Sequence, residues 1–517
     1  MKKVITILSL SLLFILAACS ENDSAQTAST TNDNQVKVEA QKEEFDGKKL
    51  NEFELIAQAS NWDFRSDESL PVWTFNGTVP GKEIRVKEGE ALRVTLKNQL
   101  EEPTSIHWHG VPLSNKQDGI PGITQDAVRP GETFIYEFVA NDPGTYWYHS
   151  HQNGVKQLDK GLYGTLIVEP KDGTNVDEDY TLVLDEWESG NNNNPAGEGM
   201  MDDTNDQEGK DSHEESSGGN MDEMMAHDMS SYDLFTINGK ASGSVEPLKV
   251  NRGEKVKLRF INAGYMAHKM HIPVDYRVTH VDGQEINNPM PQSPSLLEIA
   301  PGERYDIEFI ADQKGAFTID SHDEMKGADN MNIDVIFEDE PLKTVNHQDD
   351  EDLVIGFGKL GENKEGPFSL DDQFDIEYNM ELGVQMNHES MDMEWTINNE
   401  TFPDTSPLKV NKDDKVKVTL TNDSKDNSVH PMHLHGHFFQ VLSKNGKELK
   451  GAPIIKDTLN VKPGETYEVA FLADNPGNWL FHCHDLHHAS NGMVTLVKYN
   501  NFKEFYKSSG DVENMPE

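Results

Sequence analysis

The tripeptide His482-Cys483-His484 sets one thiol between two imidazoles. Residues 476–484, PGNWLFHCH, begin at a Pro-Gly turn and continue through aromatic and aliphatic residues, the pattern of a β-strand. Side chains alternate between the two faces of a strand. His482 and His484 therefore share one face, and Cys483 projects from the other. A metal on the sulfur is then joined, through a few covalent bonds, to metals on both imidazoles. That is wiring for electron transfer, although the tripeptide alone also fits a buried thiol among clustered histidines.

Three more histidine pairs share the i, i+2 spacing: His107/His109, His149/His151 and His433/His435. On strands, each pair presents two imidazoles to one face. Eight histidines converging from two regions of the chain can hold a metal cluster between them. His430 stands three residues before His433, and the odd offset turns it to the side of Cys483. His488 and Met493 follow the cysteine by five and ten residues. Two histidines, a thiolate and a weak thioether are the ligand set of a blue-copper electron-transfer site.

The elements that must position these residues form a threefold repeat. Trp73-Thr74-Phe75-Asn76-Gly77 recurs as Phe235-Thr236-Ile237-Asn238-Gly239 and as Trp395-Thr396-Ile397-Asn398-Asn399. Alternating strands follow each, and further strands open at Pro130-Gly131, Pro301-Gly302 and Pro463-Gly464. The units close on GTYWYHSH (144–151), GAFTIDSH (315–322) and GNWLFHCH (477–484). Short alternating strands punctuated by Gly and Pro predict an all-β chain of consecutive sandwiches, at 50–172, 173–345 and 346–505. The middle unit carries an insertion at about 190–232, and a tail follows at 506–517. The middle closing strand reads Asp320-Ser321-His322. With His268 and His271, His322 fits either an accessory metal site or the relic of one, and the relic is favoured because Ser321 and Asp320 replace useful ligands.

Only two cysteines occur in 517 residues. Lys2 and Lys3, an apolar run and Leu16-Ala17-Ala18-Cys19 read as a lipoprotein signal over 1–19, with Cys19 the lipidated residue after cleavage. The expected location is the outer face of a bacterial cell membrane, anchored by lipid. Residues 20–49 are polar and read as a disordered tether. Cys483 is then left without a disulfide partner, and metal ligation is its expected use. The formal charge of −46 argues against nucleic acid as a partner.

On these motifs the chain resembles a three-domain multicopper oxidase of the bacterial laccase and cuprous-oxidase kind, over essentially all of residues 50–500. The resemblance implies three cupredoxin-like Greek-key β-sandwiches and four copper ions. It makes His430, Cys483, His488 and Met493 the type 1 ligands, and His107 and His433 the type 2 ligands. His109, His149, His151, His435, His482 and His484 become the type 3 ligands. It also implies that electrons enter at the type 1 copper and travel through Cys483, His482 and His484 to the cluster, where O2 is reduced to two waters. Asp118, nine residues after His109, matches an acidic position used as a proton relay beside the type 2 site; the other reading is a turn aspartate in Gln-Asp-Gly. Where relatives place a glutamate after the second type 1 histidine, this chain has Ala489, so its relay must differ, through Asp485 or water. His437 and His487 receive no ligand role and read as neighbours of the ligands or exposed residues.

Nine of the nineteen methionines lie in two polar stretches. One holds Met200, Met201, Met221, Met224, Met225 and Met229 with His213 and His227. The other holds Met386, His388, Met391 and Met393. Thioethers among carboxylates and amides are poor core residues and soft ligands suited to Cu(I). The second stretch, with Asp426, is read as a Cu(I) substrate site; the first also fits an acidic loop with incidental methionines. The expected reaction is oxidation of Cu(I) to Cu(II) in copper tolerance, coupled to O2 reduction. The alternatives are laccase-type oxidation of small aromatic reductants, namely phenols and aromatic amines, and a non-catalytic copper-sequestering surface lipoprotein.

Overall fold

The structure is a computed structural model that describes residues 37–39, 45, 47–66, 68–189, 231–312, 315–325, 327–337, 353–387, 392–424 and 427–516. Cys19, the six methionines of 200–229, His213, His227, His388, Met391 and Asp426 lie outside the described residues.

Strands dominate, and they form three two-sheet units. In each, a long strand runs parallel to the second strand after the repeated turn motif: Leu50–Arg65 beside Ala91–Asn98, Glu178–Trp187 beside Lys255–Asn262, and Ile376–Met386 beside Lys415–Asn422. The sequence repeats have a backbone cause. Asn76, Asn238 and Asn398 all take positive φ (63°, 54° and 55°), as do Gly131, Gly302 and Gly464 (79°, 82° and 75°). Asn and Gly are the residues that tolerate this left-handed region. Between the turns, alternation buries one face: Lys415–Asn422 places Val416, Val418, Leu420 and Asn422 inward. Trp108, Trp147 and Trp479, on or beside the histidine strands, are fully buried and hold those strands in place.

The unit boundaries differ from the sequence reading in two places, and the tail gains a defined seat. Lys37–Glu39 pair in parallel with Thr133–Ile135, so part of the 20–49 stretch read as a disordered tether is β-strand. Residues 353–375, placed in the third unit by the sequence reading, do not open its sandwich. Val354 pairs with Leu296, and Gly361 with Pro289, on the middle unit, and the first third-unit strand is Ile376–Met386. The tail at 506–517 is seated on the first unit: Tyr506, Ser508 and Asn514 donate to the Asp126 carboxylate, and Met515 donates to Gln152. These stretches are polar and lack alternation, so no periodic signal marks where they pack.

Candidate metal centres

Strand register brings the histidines together. His107 lies opposite His149, and His433 opposite His482, each pair on neighbouring antiparallel strands. His109, His151, His435 and His484 lie two residues further along on the same faces. All eight imidazoles are at most 2 % exposed, and they interleave across the first and third units. His107 stacks on His435 and His109 on His433, at centroid separations of 4.0 and 3.8 Å. Ring nitrogens converge as His107, His109 and His433; as His109, His149 and His484; and as His151, His435 and His482.

The protons on these rings are set by their outer partners. Nδ1 of His107 contacts the Asp118 carbonyl at 2.9 Å, Nδ1 of His433 the Asp457 carbonyl at 3.1 Å, and Nδ1 of His149 the Ser150 carbonyl at 2.9 Å. A carbonyl only accepts, so each Nδ1 carries a proton, and in the neutral ring the lone pair is on Nε2. Those three Nε2 atoms are buried with no hydrogen-bond partner among the described residues. His435 and His482 show the consequence most clearly. Their Nδ1 atoms face the Asp118 carboxylate (3.1 Å) and the Cys483 carbonyl (2.8 Å), while their Nε2 atoms face each other at 3.0 Å. Two acceptor lone pairs at that distance repel unless a cation lies between them. Burial, and then the neighbouring imidazoles, push His109, His149, His151, His435 and His484 well below the usual histidine range. The rings are therefore neutral and able to coordinate.

The opposite face of the same strand carries the second centre. Cys483 is fully buried, with its Sγ 3.6 Å from His488 Nδ1 and 3.8 Å from His430 Nδ1. The two Nδ1 atoms are 3.2 Å apart. Their outer nitrogens contact Ser424 Oγ at 3.0 Å and the Asp485 carboxylate at 3.4 Å. His488 lies in the short helix Leu486–Ser490, whose first turn is capped by the Asp485 side chain. Met493 is buried and tied to this pocket by its backbone: its carbonyl accepts from Cys483 N–H, and its N–H donates to the His488 carbonyl. Trp395 closes the pocket, its ring 3.7 Å from the His488 ring. A soft thiolate with two imidazoles suits copper.

Asp118 bridges the two units. Its carboxylate lies 3.3 Å from His107 Nδ1 and 3.1 Å from His435 Nδ1, and it is 1 % exposed. Asp485 is engaged on the sulfur side, at the helix cap and His488, and Ala489 is buried. His437 is buried and bonded to Tyr499 Oη at 2.6 Å and to the His435 carbonyl. His487 is half-buried on the capped turn, where its N–H donates to Asp485 and its ring meets that of Tyr265.

A second acid escaped the sequence reading. Asp457 reaches His109 Nε2 at 3.3 Å and His433 Nδ1 at 3.4 Å, and is gripped by both guanidinium nitrogens of Arg304 at 2.7 and 2.6 Å. Burial alone would raise its pKa, but the Arg304 charge and the hydrogen bonds from His109 and His433 hold it well below the usual carboxylate range. The middle unit thus braces the cluster. Its Gly302, at positive φ, passes so close that a Cβ there would stand 3.0 Å from the His484 ring.

Comparison with known proteins agrees with this construction. Multicopper oxidase family models match residues 57–173, 178–340 and 375–502. Multicopper oxidase MmcO of Mycobacterium tuberculosis is 30% identical over 442 residues, which cover 82% of each chain. Copper resistance protein A of Escherichia coli is 25% identical over 549 residues, covering 82% of this chain and 89% of that one. The solved structure of Fet3p superposes with a TM-score of 0.70 at 21% identity, over 87% of this chain and 91% of that one, a likeness of fold. The three sandwiches are cupredoxin-like, and the cluster of neutral imidazoles and the sulfur pocket accept four copper ions between them. The chain belongs to the multicopper oxidase family and is an oxidoreductase with O2 as its acceptor.

Proposed function

We propose that this protein oxidises Cu(I) to Cu(II) in copper tolerance, outside the cell and anchored by a lipid on Cys19. His430, Cys483, His488 and Met493 would hold the type 1 copper, and His107 and His433 the type 2 copper. The type 3 pair would be held by His109, His149 and His484, and by His151, His435 and His482. Copper bound in these positions would supply one-electron steps at the thiolate and would deliver four electrons to O2 at the imidazoles.

The chain's own residues set the direction. Cys483 is covalently continuous with His482 and His484, so the sulfur pocket and the cluster are linked by backbone alone. Asp118 is placed to exchange protons with the cluster through His107 and His435, and this relay does not need a carboxylate at Ala489. Asp457, fixed by Arg304, holds His109 and His433 in orientation, a service that outer partners give to ligand histidines. Burial of every ring excludes bulk water from the site.

The observation that supports the cuprous substrate is the position of two methionines. Met386 and Met393 are cross-strand partners at the tip of a hairpin, both half-buried. Two residues beyond Met393, on the same face of the strand, Trp395 covers His488. A soft-donor pair therefore stands at the outer edge of the sulfur pocket, where an electron donor must arrive. The name of copper resistance protein A is consistent with this role. The test is O2 consumption by the copper-loaded protein with Cu(I) and with a phenol. Met386→Leu with Met393→Leu is expected to lower kcat/KM for Cu(I) and leave phenol oxidation intact. Equal loss of both activities would remove the methionines from substrate binding.

A further inference from the structure

The register pair that opens each metal-facing surface is His107 opposite His149 in the first unit and His433 opposite His482 in the third. In the middle unit the same pair is His271 opposite Asp320. The third position, His151 and His484 in the outer units, is His322. The sequence reading weighed an accessory site on the middle-unit histidines against a relic and favoured the relic, because Ser321 and Asp320 replace useful ligands. A carboxylate is itself a ligand, however, and two histidines with one carboxylate form a recurrent open metal site.

The geometry supports more than a remnant. Asp320 Oδ1 lies 3.6 Å from His271 Nδ1, and Asp320 Oδ2 lies 3.8 Å from His322 Nε2. The two rings are 4.8 Å apart and inclined at 36°. Both nitrogen–oxygen separations exceed a hydrogen bond. They match donors sharing one ion, since bonds of about 2.0–2.1 Å at ordinary coordination angles separate neighbouring donors by roughly 3–4 Å. Access also differs from the outer units. The side chains of His271, Asp320 and His322 are 10%, 23% and 31% exposed, whereas the outer sets are sealed against each other. An ion here would have protein on one side and solvent on the other, with coordination positions left for water.

We propose that His271, Asp320 and His322 form a mononuclear, solvent-open site for a divalent cation, with Cu(II) preferred. Imidazole and carboxylate without sulfur favour the cupric over the cuprous ion, and among first-row divalent metals such a site binds Cu(II) most tightly. The site is separate from the four-copper machinery, and its loss leaves O2 reduction unchanged.

The test uses the copper-loaded full chain beside His322→Ala and Asp320→Asn, both partly exposed positions that tolerate substitution. Each protein is equilibrated in a Cu(II) buffer at micromolar free ion, bound copper is counted by mass spectrometry, and the samples are examined by electron paramagnetic resonance. Wild type is expected to hold one copper more than either variant. That ion should give a tetragonal Cu(II) signal with nitrogen coupling that His322→Ala removes. Counting the difference between proteins cancels any copper held elsewhere, including at 200–229. Equal copper in all three proteins, or a wild-type-minus-variant difference spectrum with no tetragonal Cu(II) signal, overturns the site. The blue absorption and O2 turnover of the same wild-type sample report separately on the proposed oxidase.

Discussion

The strand His430–Leu434 of the third unit and the strand His268–Ile272 of the middle unit both begin on a buried histidine, at the same point of the same sandwich. His430 faces Cys483 and His488, and burial followed by the nearby His488 ring pushes it well below the usual histidine range. His268 faces Ser321, the counterpart of the cysteine, and has a carboxylate on each ring nitrogen: Asp323 on Nδ1 and Glu186 on Nε2, both at 3.0 Å. Burial opposes its charge, yet the two acids raise its pKa to about 9. Glu186 also accepts from the backbone N–H of Met266, and Asp323 from Ser321 Oγ at 2.6 Å. His435 lies between these extremes, with Asp118 on one nitrogen and a neighbouring imidazole on the other. One outer acid fixes a tautomer and leaves a lone pair for a metal. Acids on both nitrogens make a cation, and the metal is replaced by an ion-pair network.

Converting the third unit's thiol to the middle unit's residue gives the largest expected effect. Cys483→Ser should lose the blue thiolate-to-copper absorption and O2 turnover while retaining copper at the imidazole cluster, measured by absorption, oxygen electrode and metal content. Turnover that persists would detach the sulfur pocket from the reaction. Next in size is Asp118→Asn, which keeps the shape but removes the acid shared by His107 and His435. About a hundredfold lower kcat at unchanged copper content is expected, in the range for a lost proton-transfer group. Unaltered kcat would return Asp118 to a turn residue.

The histidine pairs were legible in the sequence because strand alternation turns i, i+2 spacing into a shared face, and repetition of the turn motifs located the strands. Cys483, His430 and His488 were legible for the same reason, by odd offsets and a short following turn. Asp457 and Arg304 were not. They lie 153 residues apart in sequence, and a single charged residue at or between strand ends carries no spacing that predicts a partner. The middle unit's Asp320 was visible, but its position opposite His271 was not, because that depends on the register between two strands.

Stability provides the next way to sharpen the comparison. His268→Leu leaves Glu186 and Asp323 buried without their cation and should cost about 3–5 kcal/mol in denaturant unfolding. The wild-type contribution has a defined pH window. A histidine raised to about 9 in the folded state, against about 6.5 unfolded, stabilises fully below pH 6.5, and that part is lost as pH rises through 9. Unfolding free energy should fall across this interval in wild type and lose that dependence in His268→Leu. An identical pH slope in both proteins would contradict a charged His268. The smallest effect is expected from Ser321→Cys. Supplying the thiol without removing the acids should produce no second blue band, because His268 has no lone pair to offer. A second band would show that the acids do not decide the matter.

The account rests on electrons entering at the sulfur pocket and leaving to O2 at the imidazole cluster. The direct measurement is absorption of the copper-loaded protein in the absence of O2, on adding Cu(I) and then on readmitting O2. The blue band is expected to bleach with Cu(I) and to return when O2 is admitted. A band that does not respond to Cu(I), or that stays bleached in O2, would contradict the path from Cys483 to the cluster.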